Sequence, residues 1–137
     1  MSYYPRILTE TIPSPFRSSP IQDLTNYSLS GGATVNITKT DYDYWSALVV
    51  TIRVAYNASA TAGIRVRWLY SPDNTNYDSV EEADSQGNYY DLTFTAGATR
   101  QVTLLIPLLT KFIRISIANK DTTYAHTLNV WTNYLRW

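Results

Sequence analysis

The chain predicts an all-β fold: an antiparallel two-sheet β-sandwich, jelly-roll or immunoglobulin-like, with an extended Pro-rich N-terminal arm. Three observations lead there. Apolar and polar residues alternate with period two from about residue 33 onward, and no stretch of useful length carries a helical period. Four of the six prolines also crowd the first twenty positions.

The arm comes first, over residues 1–32. Pro5, Pro13, Pro15 and Pro20 are interleaved with Ser and Thr, and a proline offers no N–H to a ladder, so an extended segment is expected rather than a sheet interior. Tyr3, Tyr4, Ile7, Leu8, Ile12, Phe16 and Ile21 are apolar anchors that a solvated linker would not need. The arm is therefore expected either to fold back on its own domain or to reach a neighbouring subunit.

The sandwich domain is expected over residues 33–137, beginning after "SGGA" with the strand "ATVNIT" at Ala33 to Thr38. In "ALVVTIRVAY", Leu48, Val50, Ile52, Val54 and Tyr56 share one face, and Thr51, Arg53 and Ala55 the other, which is the pattern of a half-buried strand. "GIRVRWLY" repeats it, with Ile64, Val66, Trp68 and Tyr70 inward and Arg65 and Arg67 outward. Similar runs follow at Tyr89 to Thr95, Arg100 to Ile106, Phe112 to Ala118 and Thr127 to Leu135. Gly63, Gly87 and Gly97 each precede a run closely, as hairpin glycines do. The nearest approach to a helix is a possible single turn in "YDSVEEADSQ".

Composition narrows the function. The 137 residues suffice for one domain with its own core. Eleven basic residues cancel eleven acidic ones, and charged residues make up only 16% of the chain, so nucleic acid is not the expected partner. Tyrosine is abundant, with 12 copies, and ring-bearing residues with a polar tip favour strands and contact surfaces. Cysteine is absent, which removes disulfides and thiolate metal sites from consideration. The start "MSYYPRILTE" has no apolar signal core and no segment approaches about 18 uninterrupted apolar residues, so no membrane association and folding in the cytoplasm are expected.

Catalytic chemistry lacks its parts. His126 is the one histidine and reads as a surface or packing residue, and the serines include no Gly-x-Ser-x-Gly elbow. No catalytic, cofactor-binding or metal residue is assigned. Asp73, Asp78, Glu81, Glu82 and Asp84 lie together on one connection rather than across a cleft, and "DNTNYD" breaks the EF-hand pattern, so a solvated acidic loop is preferred to a calcium loop. Arg53, Arg65 and Arg67, joined by Arg114, fall on outward faces of strands expected to be neighbours, where they would form a surface ion-pair network, meet a partner's carboxylates, or bind phosphate or nucleic acid, the last disfavoured by net neutrality and the lack of a lysine-rich run. Trp45, Trp131, Tyr134 and Trp137 would serve either a subunit interface or a sugar-stacking platform, and the mixture of Trp, Tyr and Arg favours the interface.

"YSPDNTNYDS", followed by "FIRISIANKDTTYAHTLNVWTNYL", resembles small β-sandwich structural proteins of tailed bacteriophages and archaeal viruses, over roughly Ala47 to Leu135. In those proteins a strand ends in a Tyr-Ser-Pro-Asp-Gly-Thr-Asn-Trp-like turn, and a late strand ends in an Asn-x-Asp-Thr turn. Asn74 stands here where Gly is common and Tyr77 where Trp is common; Asn tolerates the left-handed conformation and Tyr still packs under the turn. The resemblance implies a non-enzymatic virion protein, self-assembling as a homo-oligomer or decorating a capsid, turret or appendage alongside other virion proteins. The alternative is a carbohydrate-binding, host-recognition module. The residues expected to carry either role are Tyr3, Tyr4, Ile7, Phe16, Arg53, Arg65, Arg67, Trp131 and Trp137.

Overall fold

The computed structural model describes residues 16–137; Tyr3, Tyr4 and Ile7 lie outside the described residues. In chain order the strands are β1 (Phe16–Arg17), β2 (Ile21–Leu29), β3 (Thr34–Thr40), β4 (Ala47–Ala55) and β5 (Ile64–Ser71). A short helix α1 (Val80–Gln86) precedes β6 (Tyr89–Asp91), β7 (Thr99–Pro107), β8 (Phe112–Asn119) and β9 (His126–Arg136). All pairings are antiparallel. One sheet runs β1-β9-β4-β7 with β2 also against β9, and the other runs β3-β8-β5-β6.

The alternation seen in the sequence becomes the core of a β-sandwich. Leu48, Val50, Ile52 and Val54 of β4 are fully buried against Ile64, Val66, Ile113, Ile115 and Ile117 of the facing sheet. Leu128 and Val130 of β9 complete the layer. Each such side chain contributes about 1.5–3 kcal/mol on leaving water, and the β-branched Val and Ile among them suit the pleat. β4 pairs along its whole length on both sides, with β7 and with β9.

Three elements differ from expectation. Among the described residues the sheet already includes Phe16 and does not wait until after Gly32: β1 and β2 together line the edge of β9, from Phe16 opposite Arg136 to Leu29 opposite His126. Register shifts between Gln22 and Leu24, and again between Leu24 and Tyr27, break the period-two pattern and hide this strand in the sequence. The run expected over Tyr89 to Thr95 pairs only through Asp91. Beyond it, Leu92 turns into the core, where the Tyr56 hydroxyl donates to its carbonyl at 3.5 Å.

The acidic connection forms a true helix. Ser79 caps it by accepting from the Glu82 amide at 3.2 Å, with Glu82 at the third helical position as in a capping box. Gly87 ends it at φ 77°, a left-handed cap that a side chain would strain.

A candidate interaction surface at the aromatic end

One end of the sandwich gathers the connections 41–46, 71–79 and 108–111 with β1 and the last residues of β9. The connection 41–46 is anchored by Trp45. Its amide donates to Asp41 Oδ1 at 2.8 Å, and its ring stacks on Phe16 with centroids 5.5 Å apart and planes within 8° of parallel. Tyr134 flanks the same ring at 5.7 Å, and the Arg136 guanidinium lies 4.7 Å from its centre. Tyr134 is itself fixed by a 3.0 Å bond to the Thr40 carbonyl, and burial raises the pKa of its hydroxyl.

Around this anchor, apolar side chains face water. Tyr44 is 90% exposed, Tyr42 76%, Leu109 72% and Trp137 66%. Tyr44 also holds φ 54°, a left-handed conformation that costs a bulky residue energy. Two grooves share Tyr42 and Trp45 as a wall. One of about 370 Å³ runs between connections 41–46 and 108–111 and includes Leu109 and Lys111; the other, about 360 Å³, opens toward Ile21 and Lys39.

The arginines separate. β4 and β5 lie in different sheets, so Arg53 is not a neighbour of Arg65 and Arg67, because the chain crosses between sheets after β4. Arg65 and Arg67 form ion pairs with Asp84 and Asp91, the first of the roles expected of them. Arg67 grips Asp84 of α1 through two bonds of 2.7 and 3.0 Å, and Arg65 grips Asp91 at 2.7 and 2.8 Å. These bonds hold both carboxyls below the usual range and raise the Arg65 guanidinium. Arg114 instead covers the Tyr77 ring at 3.9 Å.

Trp131 and Trp137 do not form one platform. Trp131 lies within β9 and Trp137 just past its end, and six residues put about 20 Å between them. Trp131 sits mid-sheet beside Arg53, whereas Trp137 belongs to the aromatic end, its amide donating to Ser46 Oγ at 3.3 Å.

The acidic residues serve the turns. Asp73 accepts from the Asn76 and Thr75 amides at 2.8 and 2.9 Å, which draws its pKa down to about 2, and Asn74 adopts φ 63° with its Oδ1 accepting from the Tyr77 hydroxyl. Among the described residues no three metal-ligating groups converge. Tyr70, buried, reaches across to the Pro107 carbonyl, and burial pushes its hydroxyl up to about 12.

The opposite end carries two residues that sequence reasoning passed over. Asn119 Nδ2 donates to the carbonyls of Leu29, Ser30 and Tyr124, and its Oδ1 accepts from the Asp121 amide. The Asp121 carboxylate accepts from Tyr124, Thr61 and Thr123 amides at 2.7, 2.8 and 2.9 Å, and these bonds hold its pKa far below the ordinary carboxylate range. The signal was the Asn-x-Asp-Thr turn itself. His126 is buried, its Nδ1 accepting from the Asn57 amide and its Nε2 2.9 Å from the Ala62 carbonyl, so it packs and ties loops together.

No known protein-family model matches this chain, and no curated protein matches it either.

Proposed function

We propose that the protein is a non-enzymatic structural protein of a virion, a jelly roll that self-associates through its aromatic end, with the N-terminal arm adding to the contact. The observation that carries the assembly reading is the clustering of Tyr42, Tyr44, Leu109 and Trp137, all largely exposed, around the pinned ring of Trp45. Contiguous apolar surface of this kind marks contact sites on soluble domains, and aromatic rings with a neighbouring Arg are the usual anchors.

Strand order supports the jelly-roll type. With β1 and β2 counted as one interrupted strand, eight strands remain, ordered 1-8-3-6 in one sheet and 2-7-4-5 in the other. In an immunoglobulin-type sandwich the first two strands pair within one sheet; here they fall in opposite sheets. The virion setting rests on the turn resemblance around Tyr70 to Tyr77.

The test is the solution mass of the full chain, by light scattering, beside a Tyr44→Ser/Leu109→Ser double variant. A closed oligomer that the double variant reduces to a folded monomer is the expected result. A monomeric full chain, or a double variant of unchanged mass, overturns the assembly reading. Mass spectrometry of purified particles tests the virion setting, which fails if the chain is found only in the soluble fraction.

A further inference from the structure

A second surface, remote from the aromatic end, has the chemistry of a ligand site. The outer side of the first sheet is set by register: Thr51 stands opposite Trp131 and Thr103, Arg53 opposite Asn129 and Gln101, and Ala55 opposite Thr127 and Thr99. Along the paired stretches of β4, β7 and β9, every other outward residue is uncharged, so Arg53 is the one charge on a field of hydroxyls and amides. Among the described residues it has no acidic partner, in contrast to Arg65 and Arg67.

The wall of this surface is made by the irregularity of β2. The register shift between Leu24 and Tyr27 brings Asn26 to φ 46° and lifts it over Asn129. There the Asn26 amide donates to Asn129 Oδ1 at 2.9 Å, Gln22 Nε2 donates to the same oxygen at 3.2 Å, and Asn129 Nδ2 donates to Asn26 Oδ1 at 3.3 Å. Bulges commonly re-aim side chains in this way, and a locked amide pair needs no reordering when a ligand arrives. A shallow groove of about 360 Å³ results, with Asn26, Arg53, Asn129 and Trp131 on its sides. That volume lies at the small end of ligand sites, which span roughly 300–1,000 Å³.

We propose that this groove binds an acidic pyranose, a uronate unit of a polysaccharide. The indole of Trp131 offers an apolar plane for the C–H face of the sugar ring. Arg53, diagonal to it on the neighbouring strand, offers the planar fork that pairs with a carboxylate. The Asn26 Nδ2 and the hydroxyls of Thr99 and Thr127, which line the same groove, remain for the ring hydroxyls. A single cation is too little for a nucleic-acid backbone, whose binding scales with the number of phosphates neutralised. This inference does not rest on self-association through the aromatic end.

The experiment is isothermal titration of the full chain with short oligomers of galacturonate, glucuronate and mannuronate, beside neutral oligosaccharides of equal length. At least one oligouronate binds, and its neutral counterpart binds more weakly by about tenfold or more, as the loss of a charge-assisted hydrogen bond implies. Arg53→Gln abolishes that difference, and Trp131→Ala weakens both ligands. No heat with any of the three acids, or an Arg53→Gln chain that still prefers the acid, overturns the proposal. So does a fall in solution mass on either substitution, since the face would then be covered by a second copy.

Discussion

Tyr44 combines two costs that nothing among the described residues repays: a left-handed backbone at φ 54° and a ring 90% exposed. Replacing it by glycine therefore separates folding from association. Removing Cβ relieves about 1–2 kcal/mol of left-handed strain, against about 0.5–1 kcal/mol of extra backbone entropy lost by glycine on folding. Almost no packing is lost, so the Tyr44→Gly chain is expected to be more stable as a monomer by about 0.5–1 kcal/mol. For a domain of this size that is a rise in melting temperature of about 2–4 °C. Calorimetry at a concentration where the variant is monomeric measures the first effect, and light scattering measures the second, a shift of the association midpoint to higher concentration. A lower melting temperature refutes the strain argument. An unchanged midpoint refutes the placement of Tyr44 in the contact.

Other expectations concern the scaffold. The lowered pKa of Asp121 means its stabilisation is fully present above the unfolded value of about 3.9 and is lost as pH falls toward the folded value. Urea melts of an Asp121→Asn chain should therefore show lower stability at neutral pH and a flatter decline between about pH 4 and 2; a decline as steep as the parent's would contradict this. His126→Ala opens a cavity beside Tyr56 and Phe94 and leaves the Asn57 amide without its acceptor, so a loss of about 3 kcal/mol is expected in the same melts. Arg67→Gln breaks the bidentate grip on Asp84, but both side chains meet water, so about 1 kcal/mol or less is expected, with loss of protection of the α1 amides in hydrogen exchange.

Much of the sandwich was legible because alternation reports burial directly: Leu48, Val50, Ile52, Val54 and Tyr56 are all inward, as their spacing implies. The turn after β5 was legible for a similar reason, since Asp73 and Asn74 act on their own backbone. β2 was not, because its bulges interrupt the period and Pro20 precedes it. Nor could spacing show which arginines meet. Arg53 and Arg65 stand on consecutive long strands, yet sheet membership depends on pairings remote in sequence. Of the candidate site, Phe16 and Trp137 share the aromatic end, but Tyr42, Tyr44 and Leu109 went unread, because exposure of an apolar loop residue has no local pattern.

The two ends of the sandwich divide stability from contact. At one end polar groups are spent on the protein's own backbone: Asn119 and Asp121 fasten three segments, at Leu29–Ser30, Thr61 and residues 121–124, and Gly31 lies so close to the Thr122 and Thr123 backbone that an added Cβ would come within 2.8 Å of it. At the other end the backbone is fastened by a few bonds, among them Arg136 to the Asp43 carbonyl and Trp45 to Asp41, and the remaining rings point outward. A loop pinned at Trp45 but bare at Tyr42 and Tyr44 is ordered before any partner arrives, so docking forfeits little conformational entropy. Gly31→Ala should therefore lower the melting temperature without altering the solution mass of the folded protein. Tyr42→Ser should alter the mass without lowering the melting temperature of the monomer. If Gly31→Ala altered the solution mass of the folded protein, or Tyr42→Ser lowered the melting temperature of the monomer, the ends would communicate through the strands between them, and the division would fail.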